Sequence, residues 1–371
     1  MIGLWTLPGR RAGFQAITGA ILLIVGAACG EDGVGPSPTT AAVPADSLGR
    51  LPGDSTPAAP IDTTAPAPGD STLPAPGDSA AAPPDSTALP PVDSIGVTGL
   101  AGSHAGILFG SFSMPASYLN SMLTGWMQGG ALSPKTILPQ LSETRAKGGR
   151  AIMKLSMGHD RYVQNDDRTF SLTKWKALVD RFKTVNLDPY LADGTIVGHY
   201  LIDEPHRAQR WGGKIISQAT LEEMAKHSKR IWPGMATFVR VVPSWLASAP
   251  VNYVYLDAGW AQYGRATGDA TKWIAAEVAA AKSRGLGLTV GMNVLDGGNG
   301  SSGIAGYTKG KYAMSASEIR SIGTALLNQS HACAFIMWTH NLDYFSRSDI
   351  KSAMADISAK AKAHARTSCR Q

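Results

Sequence analysis

Residues 196–205 read IVGHYLIDEP, an apolar and β-branched run that ends in two adjacent carboxylates and a proline. The run predicts a buried strand over 196–202, because isoleucine, valine and tyrosine favour extended chain and the run is too short for a helix. Pro205 then turns the chain, so Asp203 and Glu204 lie at the C-terminal end of the strand. The same pattern recurs through the rest of the domain.

Short apolar runs alternate with longer amphipathic segments from residue 100 onwards, which is typical of repeated βα units. The predicted strands are Gly106–Phe112, Ala151–Met157, Ile196–Ile202, Ala236–Val242, Val251–Leu256, Leu286–Val294 and Ala334–Thr339, with an eighth, shorter strand at Thr124–Gln128. The predicted helices are Lys135–Lys147, Leu172–Lys183, Thr220–Ile231, Ala270–Arg284, Ala316–Asn328 and Ser348–His364. This order predicts an α/β fold, a (β/α)8 barrel of the TIM type.

An open, doubly wound sheet is the competing architecture. Such a sheet would carry a Gly-rich phosphate-binding turn after its first strand. Residues 110–115 read GSFSMP and do not provide that turn. The sequence therefore favours the closed barrel.

Residues 1–29 follow the pattern of an export signal. A basic pair at 10–11 precedes an apolar stretch at 17–28 that is short for a bilayer span, and small residues lead to Cys29. The segment resembles the lipobox of bacterial lipoproteins, which implies that Cys29 becomes the acylated N-terminus, although Gly26 occupies a position where leucine is usual. Ordinary cleavage that leaves a free Cys29 is the alternative. The glycine after this cysteine, instead of an aspartate, implies the outer membrane by the sorting rule of that family.

Residues 30–99 consist mainly of Pro, Ala, Asp, Ser, Thr and Gly, and Pro-Gly-Asp-Ser recurs at 52–55, 68–71 and 76–79. Too little apolar surface is present to offset the entropy of ordering, so we expect a disordered, partly polyproline-II linker. The globular barrel domain then occupies 100–371. We expect it in the cell envelope, exported and held to the membrane through the lipid anchor alone.

Residues 100–371 hold 31 of the 34 Lys and Arg residues and 19 of the 28 Asp and Glu residues, a net charge near +12. These cations are spread along the chain without a run of five, so we expect a solvated basic surface and no nucleic-acid partner. We also expect a monomer. Cys333 and Cys369 would both lie at the N-terminal face of the barrel, where an oxidising compartment would permit them to form a disulfide.

Functional residues in a (β/α)8 barrel collect where strands run into the following loops. The sequence Asp203-Glu204-Pro205 resembles the strand-end Asp-Glu-Pro of many (β/α)8 glycoside hydrolases. This resemblance, which extends to the order of elements over the domain, implies that Glu204 on the fourth strand is the general acid in cleavage of an oligo- or polysaccharide. The alternative is that Asp203 caps the next helix and Glu204 lies on its solvated first turn.

Cleavage of a glycosidic bond needs a second carboxyl group, which attacks the sugar or activates water. The retaining relatives have a glutamate that closes the seventh strand, where this chain has Asn293. Asp257, at the end of the strand predicted over 251–256, is the best substitute, and Asp160 is the next; each is alternatively a helix cap or an ion-pair partner. A non-catalytic, carbohydrate-binding lipoprotein with a degenerate site is the second hypothesis, so whether the protein is an enzyme stays open.

Sugars stack their C–H faces on aromatic rings and hydrogen bond through their hydroxyls, so strand-end aromatic and polar residues are candidate carbohydrate ligands. The set comprises Tyr200, Asp203, His159, Arg240, Trp260, Asn293, Trp338 and His340. Trp338 resembles the substrate-stacking aromatic on the last strand of glycoside hydrolases; alternatively it merely closes the barrel. The Gly-rich segment 297–310 predicts either a mobile cover for the site or a plain flexible loop.

Other chemistries lack their sequence motifs. No Gly-x-Ser-x-Gly elbow, phosphate-binding Gly-Lys-Ser/Thr loop or His-Glu-x-x-His is present. His159, Asp160, His199, Asp203 and His206 could gather around a metal, which would favour hydrolysis of a different bond, but their spacing matches no ligand pattern. We therefore predict no metal and no cofactor, with carbohydrate as the partner.

Overall fold

The computed structural model describes residues 104–128, 132–365 and 367–369. The signal peptide, Cys29 and the linker lie outside the described residues, so the predictions made for them stay predictions. Within the described ranges, no helix combines the length and the hydropathy needed to cross a membrane.

Eight parallel strands close into a barrel in chain order, with the last strand beside the first. The strands are β1 (Leu108–Phe112), β2 (Gly125–Met127), β3 (Arg150–Met153), β4 (Ile196–Asp203), β5 (Ala236–Arg240), β6 (Ala258–Tyr263), β7 (Gly287–Met292) and β8 (Ala332–Met337). A Cβ on Gly110 would lie only 1.7 Å from the carbonyl oxygen of Gly125, so glycine permits the close approach of β1 and β2. The predicted (β/α)8 barrel is confirmed.

Helices follow most strands and cover the outside of the barrel. They are α1 (Ile137–Ala146), α2 (Leu172–Asp180), α3 (Asp188–Ala192), α4 (Gln218–Ile231), α5 (Pro243–Ala247), α6 (Ala270–Ser283), α7 (Ala316–Leu327), α8 (Leu342–Ser346) and α9 (Ser348–Ala363). Ser171, Ser217, Asp269 and Ser315 cap α2, α4, α6 and α7 by accepting a hydrogen bond from an amide three residues later. These residue types are the preferred N-caps, which explains why the helices begin there.

The strand predicted over 251–256 is wrong, because β6 begins at Ala258. The carboxylate of Glu222 on α4 accepts hydrogen bonds from the backbone amides of Val254, Tyr255 and Leu256 at 2.7–2.9 Å. The Glu222 side chain thus accepts the hydrogen bonds that these backbone amides would donate to a neighbouring strand in a sheet. As a consequence Asp257 precedes its strand instead of following one.

The barrel interior is filled by one cluster of mainly apolar side chains. Its members include Leu108, Met127, Ile152, Tyr200, Phe238, Trp260 and Ile336. Because side chains alternate along a strand, Lys154, Arg240 and Gln262 follow interior positions by two residues and face the same mouth of the barrel. Arg240 Nε indeed donates to Gln262 Oε1 at 3.0 Å.

The opposite, N-terminal end of the barrel is closed covalently. Cys333 on β8 forms a disulfide with Cys369, with 5.2 Å between the Cα atoms, and this confirms the predicted pairing. A Cβ on Gly287, at the start of β7, would lie 2.8 Å from the carbonyl oxygen of Cys369. The C-terminal segment therefore packs directly against the strand ends.

Candidate functional site

Six acidic and basic side chains meet at the C-terminal mouth of the barrel, and we call them the ion cluster. They are Asp160, Asp203, Glu204, Arg207, Arg210 and Arg240. Asp203 ends β4 beside Arg240 of β5, with which it is in register. The loop after β4 supplies the other two arginines, and a 3-10 turn after β3 supplies Asp160.

Arg210 joins the three carboxylates. Its Nη1 lies 2.7 Å from Asp203 Oδ2 and 3.1 Å from Glu204 Oε2. Its Nε and Nη2 contact the two oxygens of Asp160, the latter at 3.0 Å. The guanidinium thus lies between Asp160 and Glu204 and keeps them at a fixed separation.

Arg240 and Arg207 complete the ion pairs. Arg240 Nη1 lies 2.8 Å from Asp203 Oδ1 and 3.1 Å from Glu204 Oε1, and Arg207 Nη2 lies 3.0 Å from the same Glu204 oxygen. Burial acts to raise the pKa of Asp203, but Arg240 and Arg210 outweigh it and hold that pKa well below its usual range. All six oxygens of the three carboxylates are therefore paired.

Glu204 has a left-handed backbone, with φ at 45°. Its amide donates to the carbonyl of Arg240 at 3.1 Å, and its own carbonyl accepts from Trp211 Nε1 at 3.0 Å. A non-glycine residue in this region costs about 1–3 kcal/mol and persists only where its surroundings fix it. Here the turn brings the carboxylate of Glu204, a buried residue, among three guanidiniums.

Three hydrogen-bond donors lie next to this ion cluster. Lys154 is buried, and its Nζ donates to the carbonyl of Gly158 at 3.5 Å and lies 5.9 Å from the ring centre of Tyr200. Burial lowers the pKa of Lys154, although Asp203 acts in the opposite direction. The Tyr200 hydroxyl and Trp260 Nε1 are buried and make no hydrogen bond of standard geometry within the described residues. Burial, and then the charge of Asp203, raises the pKa of the Tyr200 phenol.

Aromatic rings form the other side of the mouth, on the loops after β7, β8 and β1, and we call them the aromatic arc. Tyr307 contacts Trp338 edge to face at 5.4 Å between ring centres, and His340 lies 4.8 Å from Tyr118. Tyr307 is 55% exposed and Tyr118 is 38% exposed. The arc thus presents ring faces and edges to solvent on the side of the mouth away from the ion cluster. Its residue Tyr307 belongs to the Gly-rich segment 297–310.

Two other predicted ligands have local roles. Asn293 Oδ1 accepts a hydrogen bond from the amide of Asp296 at 3.0 Å, which fixes the loop after β7. His159 precedes Asp160, and the centre of its ring lies 6.3 Å from the ring centre of Tyr162. His199 packs outside the barrel, stacked on Trp175, so the histidines and aspartates proposed for a metal do not converge. Within the described ranges, no group of three His, Cys, Asp or Glu side chains is arranged to hold a metal ion.

Asp257 lies at the opposite end of the barrel from Glu204, which corrects the prediction that it is the second carboxylate. Its Oδ2 lies 2.5 Å from Lys229 Nζ and accepts from the amide of Thr237 at 2.7 Å. Burial raises the pKa of Asp257 despite the charge of Lys229. Because β6 begins after this residue, Asp257 belongs to the start of the strand and has a structural ion pair.

Sequence reasoning did not find Lys154, Arg207 and Arg210 as site residues. Lys154 has a detectable signal, since it follows the interior residue Ile152 by two positions and is a cation where the alternation predicts a buried side chain. The two arginines have no such signal. They reach the site through the path of the loop after β4, which no periodicity specifies.

Comparisons with known proteins yield similarity in solved structures only. No protein-family model matches the chain, and no curated protein does. It is similar to a GH18 chitinase from Pseudoalteromonas aurantia, at 11% identity and a TM-score of 0.40 over 67% of this chain and 98% of the other. An endocellulase from the archaeon Pyrococcus horikoshii has 12% identity and a TM-score of 0.45 over 70% and 92%. A GH113 β-1,4-mannanase has 9% identity and a TM-score of 0.48 over 70% and 99%.

Proposed function

We propose that this protein is an exported glycoside hydrolase that cleaves an oligo- or polysaccharide, with Glu204 as general acid and Asp160 as the second carboxylate. The observation that carries the proposal is the left-handed backbone of Glu204, which brings a buried carboxylate among three guanidiniums at the mouth. Strain of this kind clusters at functional sites, where the surrounding contacts hold it in place. The exposed rings of the aromatic arc supply stacking surfaces for sugar rings.

Asp160 is the better partner because Arg210 joins it to Glu204. Asp160 contacts Nε and Nη2 of that guanidinium, whereas Glu204 contacts Nη1. Carboxyl groups of inverting glycosidases are roughly 6.5–9.5 Å apart and those of retaining ones about 5–5.5 Å apart. Two carboxylates with a guanidinium between them suit the wider gap, so we expect inversion.

In that reaction Glu204 takes up a proton from solvent after a guanidinium has been displaced, and it gives this proton to the glycosidic oxygen as the bond to the anomeric carbon breaks. Asp160 takes a proton from the water that attacks the same carbon from the opposite face. Both oxygens of Glu204 are paired and the Arg210 guanidinium lies between the two carboxylates, so substrate must displace Arg210, which frees Glu204 Oε2 and opens the gap for the anomeric carbon. Displacement of Arg207, whose side chain is 60% exposed, is not sufficient, because Arg240 contacts the same oxygen of Glu204.

Location and anchoring belong to the same proposal and rest on sequence. Cys29 would carry the lipid anchor, and residues 30–99 would let the barrel reach substrate away from the outer membrane. The partner is carbohydrate, and the barrel acts as a monomer.

The test is hydrolysis of aryl glycosides and polysaccharides by the full chain in detergent. Glu204→Gln and Asp160→Asn should each lower kcat by about 10²–10⁴, the usual contribution of a general acid or base. Asp257→Asn is the matched control, since it changes a buried carboxylate to an amide at the other end of the barrel. Hydrolysis that survives Glu204→Gln at full rate would refute the assignment, and inverted product seen first by NMR would support Asp160 as base.

A non-catalytic carbohydrate-binding protein is the second candidate. It is favoured by the pairing of both Glu204 oxygens and by Asn293 at the end of the seventh strand. Sugar binding without hydrolysis in the wild-type chain would establish it in place of the enzyme.

A further inference from the structure

Lys154 adds a fourth cation beside the ion cluster. Asp160, Asp203 and Glu204 face three arginines, so the ion cluster is balanced without Lys154. Within the described residues, no carboxylate oxygen lies within 4 Å of Lys154 Nζ, whose hydrogen bond to Gly158 is long at 3.5 Å. An ammonium that is only 4% exposed and lacks an ion pair is costly to bury.

Two further buried donors belong to the barrel interior at this end, and one of them is on Tyr200, whose ring centre lies 5.9 Å from Lys154 Nζ. Trp260 Nε1 is buried and makes no hydrogen bond within the described part of the chain, whereas the Tyr200 hydroxyl, without a hydrogen bond of standard geometry, interacts with Asp203. Their rings contact each other edge to face at 6.3 Å, and the Arg240 guanidinium lies 5.5 Å from the Trp260 ring centre. An ammonium, a phenol and an indole N–H together suit a ligand group that only accepts hydrogen bonds.

We propose that the mouth binds an acidic sugar, and that Lys154 is the specificity-determining residue that pairs with its carboxylate or sulfate group. This inference rests on the proposed carbohydrate function and adds the charge of the substrate. A carboxylate and a sulfate ester share anionic oxygens that accept several hydrogen bonds, so either would give the Lys154 ammonium the ion pair that it lacks among the described residues. The aromatic arc would then stack the sugar ring to which the anionic group is attached.

Three ligands that differ only at carbon 6 provide the test: glucose, glucuronate and glucose 6-sulfate, with the corresponding galactose and mannose series. Their dissociation constants are measured by NMR titration of the full chain in detergent, since monosaccharides contain no bond to cleave. At least one acidic member should bind about tenfold more tightly than its neutral parent, as expected for a charge-assisted hydrogen bond. Comparison of the carboxylate with the sulfate identifies which group the mouth accepts.

Lys154→Met should remove this preference while neutral sugars still bind. Lys309→Met is the matched control, because Lys309 is an exposed lysine in the loop after β7 and should keep the preference. Equal affinity for acidic and neutral sugars, or a preference that survives Lys154→Met, would overturn the inference. The hydrolase proposal would then still stand, because it depends on the loss of turnover in Glu204→Gln. Failure of every sugar to bind, together with no hydrolysis, would refute both.

Discussion

The two ends of the barrel both bury ion pairs, but they do so in different ways. At the N-terminal end, Lys229 and Asp257 form one pair 2.5 Å apart with side chains only 9% and 6% exposed. One cation meets one anion, and Thr237 satisfies the same carboxylate oxygen. At the C-terminal end, three arginines meet three carboxylates and Lys154 remains without an ion pair among the described residues.

This difference separates a structural ion pair from a site that is built for a ligand. The N-terminal pair is satisfied within the chain, beside a disulfide that fixes the C-terminal segment. The C-terminal mouth has a strained Glu204, buried donors and exposed rings, features that cost stability in the free protein. Proteins retain such costs where function requires them, which supports the proposed site at the C-terminal mouth.

Removal of one partner from the N-terminal pair should give the largest effect on stability. Lys229→Met leaves the Asp257 carboxylate buried without its counterion and should lower the free energy of unfolding by about 3–5 kcal/mol. Urea denaturation of the full chain measures this loss. The turnover number of the folded protein should be unchanged, because the pair is at the other end of the barrel from Glu204.

The double variant Lys229→Met with Asp257→Asn sharpens this prediction. It removes the uncompensated charge and should recover most of the lost stability, so the two single changes should not be additive. Additive losses of stability would mean that Lys229 and Asp257 do not stabilise each other. A fall in turnover with Asp257→Asn would mean that the two ends of the barrel are not independent.

Much of the fold could be predicted from the sequence because buried strands of a parallel barrel are continuous apolar runs. Seven of the eight strands and the long helices follow that signal. The exception is instructive: residues 251–256 have the composition of a strand, but Glu222, about thirty positions earlier, accepts the hydrogen bonds of their amides. A long-range contact of this type has no trace in local composition.

The site could be predicted mainly where it lies at strand ends, and Asp160, in the turn after β3, is the one exception among the residues of the ion cluster. Asp203, Glu204 and Arg240 end their strands and were found, whereas Arg207 and Arg210 reach the mouth through a loop. The misplaced sixth strand also moved Asp257 to the wrong end of the barrel, because an aspartate that precedes a strand looks the same in sequence as one that follows it. The pairing of the carboxylates with arginines could not be predicted from the sequence either, because it depends on the conformation of the loop after β4.

The two ends should respond to pH with opposite signs. The pKa of Asp203 is held below its usual value of about 3.9, so its contribution to stability is present above pH 4 and is lost as pH falls further. The pKa of Asp257 is raised, so the native state holds that proton more tightly and stability falls as pH rises from about 4 through the raised pKa. Each group changes the slope of the free energy of unfolding against pH by up to about 1.4 kcal/mol per pH unit.

Urea denaturation at a series of pH values between 3 and 6 separates the two groups. Asp203→Asn should remove part of the loss of stability below pH 4, and Asp257→Asn should remove part of the decline above it. If both variants changed the profile in the same direction, the two carboxylates would not have the opposite environments described above.

The smallest expected effect is a gain in stability from Lys154→Met. Methionine keeps the length of the side chain but removes a buried ammonium that has no ion pair in the described structure, which should add about 1 kcal/mol at pH 7. The pKa of Lys154 is lowered by burial, so the native state binds its proton less tightly than the unfolded chain, and wild-type stability rises as pH increases towards about 10.4. The advantage of the variant should therefore shrink between pH 7 and pH 10. A loss of stability at pH 7 would show instead that attraction to Asp203 and Asp160 outweighs the burial of Lys154, and the mouth would then hold its charges in balance without a ligand.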